Sequence, residues 1–228
     1  IRSSFSGFYD SFGFPTIIGA IDCTHIKISG QGPDGEIYRN RKQFFSINAQ
    51  VIGSHDLKIQ NVVARWPGSS HDSYIFNNSL IKTKMERGEH YPGVLLGDGG
   101  YKLETYLLTP FRNPETIQQQ DYNRIHIRAR NCIERLFGVW KRRFPCLVFG
   151  LRTKVETSLT VIVACAVLHN ICVSNRDAVP HNDPAFLSII EEDFDELPDR
   201  NREPSTNRRA VAFRNRMAER ISQQVNEI

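Results

Sequence analysis

The chain reads as an α/β protein built on one mixed sheet, with three antiparallel strands first, two short parallel strands later, helices flanking them and a helical extension at the C-terminus. Three observations predict this. Apolar, β-branched runs of strand length, separated by Gly, Pro and Asp turns, fill the first half. Segments with apolar residues every three or four positions dominate the second half. The 228 residues and 40% hydrophobic content suffice for one large globular domain.

Taken in order, Ser3 to Phe14 mixes aromatic and small residues without clear periodicity, so residues 1–16 read as a lead-in closed by Pro15. Ile17 to Ile28 is a buried central strand into which one acid, Asp22, intrudes. A carboxylate there needs a cation, a metal or a strong set of hydrogen bonds. Ser29 to Glu36 is a turn, followed by a basic cluster of Arg39, Arg41 and Lys42. Phe45, Ile47, Ala49 and Val51 then alternate with Ser46, Asn48 and Gln50, the pattern of a half-buried strand, and Leu57 to Trp66 returns as a third strand. After Pro67-Gly68, Ser69 or Ser70 is placed to cap a helix whose first turn holds His71 and Asp72 and which ends near Arg87-Gly88. The short apolar run from Gly93 ends in Asp98 and a Gly-Gly turn, and in open α/β sheets ligands bind at that end of a strand. Tyr106 to Phe111 is a fifth strand.

A helix is predicted from about Asp121, its N-cap, to Phe144, with Tyr122, Ile125, Ala129, Ile133, Leu136 and Trp140 on its apolar stripe. A second stripe carries Arg130, Glu134, Gly138 and Lys141, so a lone acid stands among cations, and Gly138 removes a side chain that would crowd it. Leu147 to Leu151 is a small edge element. Ser158 to Val173 is apolar nearly all round, which predicts a fully buried core helix, too short to span a bilayer. His169 within it reads as a hydrogen-bonded core histidine. Residues 175–205 read as an acidic flexible linker, and 206–228 as a basic amphipathic helix with Phe213, Met217, Ile221 and Val225 on one stripe.

The formal charge is only +4, but from Asp121 to Arg152 there are eight Lys/Arg against two Asp/Glu. A concentrated basic face is the footprint of a polyanion binder, with Arg130, Arg135, Lys141, Arg142 and Arg143 as its candidate contacts beside the Arg39-to-Lys42 cluster. Five cysteines without a CxxC pair suggest neither a zinc site nor a disulfide framework and point to a reducing compartment. Asp22, Asp98 and Glu134 sit within a strand, at a strand end and on a following helix. Parallel pairing of the first and fourth strands would bring them together, and carboxylates so close call for a hard divalent cation such as Mg²⁺.

Four stretches carry a resemblance: Gly19 to Ile26, Trp66 to Asp72, Leu96 to Tyr101, and the Glu134 segment through Lys141. In that order they resemble the motifs of PIF/Harbinger transposases and the nucleases derived from them, over roughly Ile17 to Val173. The resemblance implies an RNase H-like nuclease domain over 17–174 and a metal-dependent DDE endonuclease acting on DNA. It implies Asp22, Asp98 and Glu134 as the catalytic triad and metal ligands, with 35 residues between the last two. It also implies Asp72 as an accessory ligand or orienting group, Mg²⁺ as cofactor and Mn²⁺ as its substitute. Cys23 departs from the family's frequent Gly. The resemblance further implies a separate Myb-like DNA-binding partner, a helical region preceding Ile1, and action in the nucleus, with the cytoplasm second. No membrane is implied, and oligomer formation stays open. The competing reading is a catalytically silent DNA- or protein-binding module on the same fold; retention of all three acids favours the nuclease.

Overall fold

The computed structural model describes residues 2–29, 32–180 and 207–226. Its centre is a five-stranded sheet in the order β3-β2-β1-β4-β5, with β1 at Ile17–Lys27, β2 at Ser46–Gly53, β3 at Ile59–Pro67, β4 at Val94–Leu96 and β5 at Leu107–Leu108. β1 to β3 form the expected antiparallel meander. β4 pairs parallel with β1, and β5 parallel with β4. This is the predicted mixed α/β sheet, of RNase H-like class. The decisive register is Ala20 opposite Leu96. Two residues farther along each chain lie Asp22 and Asp98, so the two acids leave the sheet at the same edge.

Seven helices are described: α1 (Arg2–Phe12), α2 (Asp72–Asn77), α3 (Leu80–Glu86), α4 (Ile117–Arg143), α5 (Cys146–Phe149), α6 (Val155–Ser174) and α7 (Arg208–Asn226). α4 is the main buttress. Its buried stripe of Tyr122, Ile125, Ala129, Ile133, Leu136 and Trp140 is the predicted one. It lies so close to the sheet that a Cβ on Gly53 would stand 2.9 Å from the Ile133 side chain. The helix starts earlier than Asp121, at an N-cap formed by Thr116, whose hydroxyl accepts from the Gln119 N–H. Thr116 and Gln119 stand at the spacing of a capping box. Asp121 instead accepts a hydrogen bond from Ser222 of α7 at 2.9 Å.

Within the lead-in, read as the end of a helical region, residues 2–12 form a helix, and Phe8 and Phe14 are wholly buried in the main core. Other expectations are revised. The single helix expected after Pro67 is two short ones, the first with His71 at its N-cap position making no side-chain cap bond and the second capped by Ser79. β2 is buried on both faces, because Ser46 and Asn48 bond beneath neighbouring loops instead of facing water. The edge element after Pro145 is the helical turn α5, with Leu151 bridging to Ile28.

α6 is not enclosed. It lies on β3, where the Asn170 amide exchanges two hydrogen bonds with the Ile59 backbone and His169 contacts the Leu57 carbonyl, while Val163, Val167, Leu168 and Ile171 face outward. By length and composition this 20-residue helix could cross a membrane, longer than the run expected from the sequence. The core role of His169 holds. Most of the expected linker lies outside the described residues, and 175–180 have no regular structure.

α7 docks on α4 through Ala210, Met217, Ala218 and Ile221. Arg214 adds hydrogen bonds to the Thr109 and Pro110 carbonyls and stacks over Phe111 at 3.9 Å. Ile221→Ala should therefore destabilise the chain by about 2–4 kcal/mol, the usual loss for a truncated core side chain. Arg216→Ala, at an exposed position of the same helix, should shift stability by less than about 0.5 kcal/mol. Equilibrium denaturation of the two variants compares them, and equal losses would show that α7 is not held by its apolar face.

Candidate active site

Asp22 and Cys23 are consecutive in β1 and therefore face opposite sides of the sheet. Asp22 looks toward α4; Cys23 looks toward α2. Asp98 follows β4 directly. Its Oδ1 accepts the Gly100 N–H at 2.9 Å, and a Cβ on Gly100 would stand only 3.0 Å from that same oxygen. The Gly-Gly turn thus folds back over the carboxylate, which a larger residue at 100 would crowd.

Glu134 comes from α4 and meets Asp22 through a single side chain. Arg130, one turn earlier, donates from Nη1 to Asp22 Oδ2 at 2.8 Å and from Nη2 to Glu134 Oε1. Asp22 also accepts the Cys23 N–H at 2.9 Å. The Asp22 side chain remains 20% exposed, Arg130 17% and Glu134 41%, so the ion pair is accessible from one side. The expected meeting of the acids is therefore modified: Asp22 and Glu134 come together around a guanidinium, and Asp98 stands at the same sheet edge. A cavity of about 370 Å³ lies elsewhere, lined by Val167, Asn170, Ile171, Ser174 and Asn175 along and just after α6.

The electrostatics show how acidic this edge is. Burial pushes the Asp22 carboxyl up to about 7; Arg130 and the Cys23 N–H oppose the rise, while Asp98 and Asp72 add to it. Burial draws the Arg130 guanidinium down, but Asp22, Glu134 and Asp98 together leave it above its ordinary value. On the opposite face Asp72 accepts from the Asn48 amide at 2.9 Å. The half-buried Cys23 thiol contacts the Tyr101 hydroxyl at 3.6 Å and is pushed well up, first by desolvation and then by Asp72. Asn48 and Tyr101 were not singled out in the sequence. The polar phase of β2 was the available signal for Asn48, and it reads equally well as a solvent face.

The basic residues divide. Arg39 is engaged by both Glu36 oxygens at 2.8 Å and lies over Phe45. Lys141 is wholly buried, its ammonium 3.4 Å from the His25 carbonyl, so it is a core cation and not a surface phosphate contact. Arg143 holds the Asp177 and Ala178 carbonyls. Arg130 is committed to two acids. Arg41, hydrogen-bonded to His71 at 2.6 Å, Lys42 and Arg135 are exposed, and Arg142 is half-buried. Gly138 does not make room for Glu134, since a Cβ there would meet nothing within 4 Å.

With this geometry in place, comparison with known proteins gives the family. The pattern of the DDE superfamily endonucleases matches residues 21–170. The chain belongs to that family. It is 34% identical over 171 residues to "Putative nuclease HARBI1" of Bos taurus, covering 74% of this chain and 49% of the relative. The protein of the same name from Rattus norvegicus is 35% identical over 178 residues, covering 77% and 51%. "Protein ALP1-like" of Arabidopsis thaliana is 26% identical over 190 residues, covering 75% and 47%. The chain spans about half the length of the curated relatives it matches. No solved structure matches it.

DDE superfamily endonucleases use divalent metals, and the donor chemistry here fits one. Carboxylate oxygens from two adjacent strands and a helix are hard ligands, and burial, with Asp98 and Asp72 adding to it, raises the Asp22 carboxyl to about 7, a cost to its charged form that a divalent cation would relieve. Among the described residues, however, no three His, Cys, Asp or Glu side chains stand close enough to share one ion.

The raised Asp22 carboxyl makes metal-free stability depend on pH. The folded chain holds this proton more tightly than the unfolded chain, so the contribution is fully present below about pH 4 and is lost as pH rises through about 7. The ceiling is roughly 4 kcal/mol. In EDTA the denaturation midpoint should therefore fall between pH 5 and pH 8, and Asp22→Asn should remove most of that fall. Parallel pH curves for the two proteins would show that Asp22 titrates normally.

Proposed function

We propose that this chain is the catalytic core of a metal-dependent DNA endonuclease of Harbinger transposase descent, with Asp22, Asp98 and Glu134 as its DDE triad. The carrying observation is that Asp22 and Asp98 leave the sheet at one edge, with Glu134 linked to Asp22 through Arg130, and that burial, with Asp98 and Asp72 adding to it, holds an Asp22 proton to about pH 7. Asp22, Asp98 and Glu134 would hold Mg²⁺, with Mn²⁺ as substitute; Asp72, across the sheet, adds negative charge and anchors α2. Such ions, when bound, activate the attacking water and stabilise the leaving oxygen of a phosphodiester.

The chain's own residues supply position. β1 and β4 set the spacing of Asp22 and Asp98, α4 presents Glu134, and Gly99, where a Cβ would meet nothing within 4 Å, leaves open space beside Asp98 for a nucleic-acid backbone. Arg41, Lys42, Arg135 and Arg142 are the proposed phosphate contacts. A Myb-like partner would supply sequence-specific targeting, and the nucleus is the proposed place of action, the cytoplasm the second.

Plasmid nicking with Mg²⁺, Mn²⁺ or EDTA tests the reading. The wild-type chain should nick with either metal and not in EDTA, and Asp98→Asn should abolish nicking. Glu134→Gln preserves size and helix propensity while removing the charge. It should keep DNA binding and lose cleavage by orders of magnitude, because the lost interaction acts mainly in the transition state. A Glu134→Gln protein that folds, binds and cuts at the wild-type rate would falsify the triad assignment. DNA binding without nicking under any metal would instead identify a binding module.

Binding gives an independent check. Neutralising Arg41 and Arg135 together should weaken binding to unrelated DNA sequences alike and flatten the salt dependence by about two units of slope, roughly one per lost contact. Unchanged affinity and slope would assign these charges to solvation.

A further inference from the structure

Arg130 combines features that a surface phosphate contact does not need. Its planar fork spans two acids from different elements, one nitrogen on Asp22 at 2.8 Å and the other on Glu134. Its backbone is held in register by the buried neighbours Ala129, Cys132 and Ile133, so the guanidinium does not reach the acids by chance of rotamer alone. Only a guanidinium offers paired, diverging donors in one rigid plane. Asp98 also acts on it electrostatically. The positive charge therefore sits among the three residues read above as the triad, on the side of the sheet that faces α4.

We propose that Arg130 is a positioning residue that stands in for the divalent cation, holding Asp22 and Glu134 together in the metal-free chain and giving them up when the cation binds. The inference rests on the reading of these acids as metal ligands. It accounts for two observations at once: one guanidinium bridges Asp22 and Glu134, and among the described residues no three acids form a shared ligand set, because the guanidinium lies between these two. Exchange of one positive charge for two neutralises this edge more fully, which gives the exchange its direction. Without the arginine, three acids would repel one another whenever the metal was absent.

The consequence is opposite in sign for stability and for metal affinity, and a merely structural ion pair does not share it. In EDTA, Arg130→Gln should lower the melting temperature. The same variant should bind Mn²⁺ more tightly than wild type, on the order of tenfold, since a competing charge a few ångströms from the ion is gone. Mn²⁺ should also raise its melting temperature by more than it raises that of wild type. Direct Mn²⁺ titration, read by electron paramagnetic resonance of the free ion, measures the affinity without reference to cleavage. Arg130→Lys keeps the charge but not the fork, and should fall between the two; it serves as the measured variant if Arg130→Gln does not fold.

Asp98→Asn ties the ion to this site, because it should lose Mn²⁺ binding. If wild type binds Mn²⁺ and the Arg130 variants bind it equally or more weakly, the stand-in role is wrong while the metal-site reading survives. A loss of DNA affinity and salt slope with unchanged Mn²⁺ affinity would return Arg130 to the phosphate path. If no form binds Mn²⁺, the metal-site reading fails and takes this proposal with it.

Discussion

Asp22 is a carboxylate in the middle strand of a buried sheet, and such a group ionises only where positive charge reaches it. Much of the chain's architecture serves that requirement. β1 places Asp22 where the strand emerges beside β4, so Asp98 stands next to it in register. The second acid worsens the electrostatic problem that the first creates. α4 brings both a remedy and a further demand on one face, Arg130 and Glu134 a single turn apart. Burial is the larger obstacle, and it raises the Asp22 carboxyl to about 7 although Arg130 opposes the rise.

Delivery of that face depends on how closely α4 approaches the sheet. Gly53 in β2 permits the approach, since any side chain there would collide with Ile133. From the outside, α1 and α7 press on the same helix, α7 through its apolar stripe and the Asp121–Ser222 bond. α4 is thus clamped between the sheet and two further helices along much of its 27 residues. A clamped helix holds a charged fork to within hydrogen-bonding tolerance, which a surface helix held only by i,i+4 pairs would not do.

The sequence made the sheet legible because its signals are local. Alternation, turn residues and the short apolar run before Asp98 each report on a few neighbours, and the α4 stripe repeats at helical spacing over several turns. The proximity of Asp22 and Asp98 followed from one topological step, the parallel pairing of strands one and four. What stayed hidden was contact between distant segments. Nothing near Arg130 announces a partner 108 residues away. α6 shows the same limit from another side: a helix apolar all round carries no directional signal, so its composition could not say that only one face would meet β3. The start of α4 was a different miss. Thr116 and Gln119 carried the capping pattern, but Asp121, closer to the apolar stripe, drew the assignment.

Charge counting fails for a related reason. Eight Lys/Arg between Asp121 and Arg152 look like one polyanion surface, yet what a cation can offer a ligand depends on what already occupies its donors. Lys141 is sealed under the sheet, Arg143 holds the backbone that follows α6, and Arg130 belongs to the acids. Outside that segment, Arg39 is engaged by Glu36. Of the candidate phosphate contacts, the exposed ones are fewer and come from two sources, the loop before β2 and the outer side of α4. A phosphate backbone held between those sources would have its path set by their positions, with the acidic edge as a repulsive stretch within it. Under the proposed function, divalent cations would remove that repulsion at the place where the acids are, and so would couple tight approach of the phosphate to loading of the site.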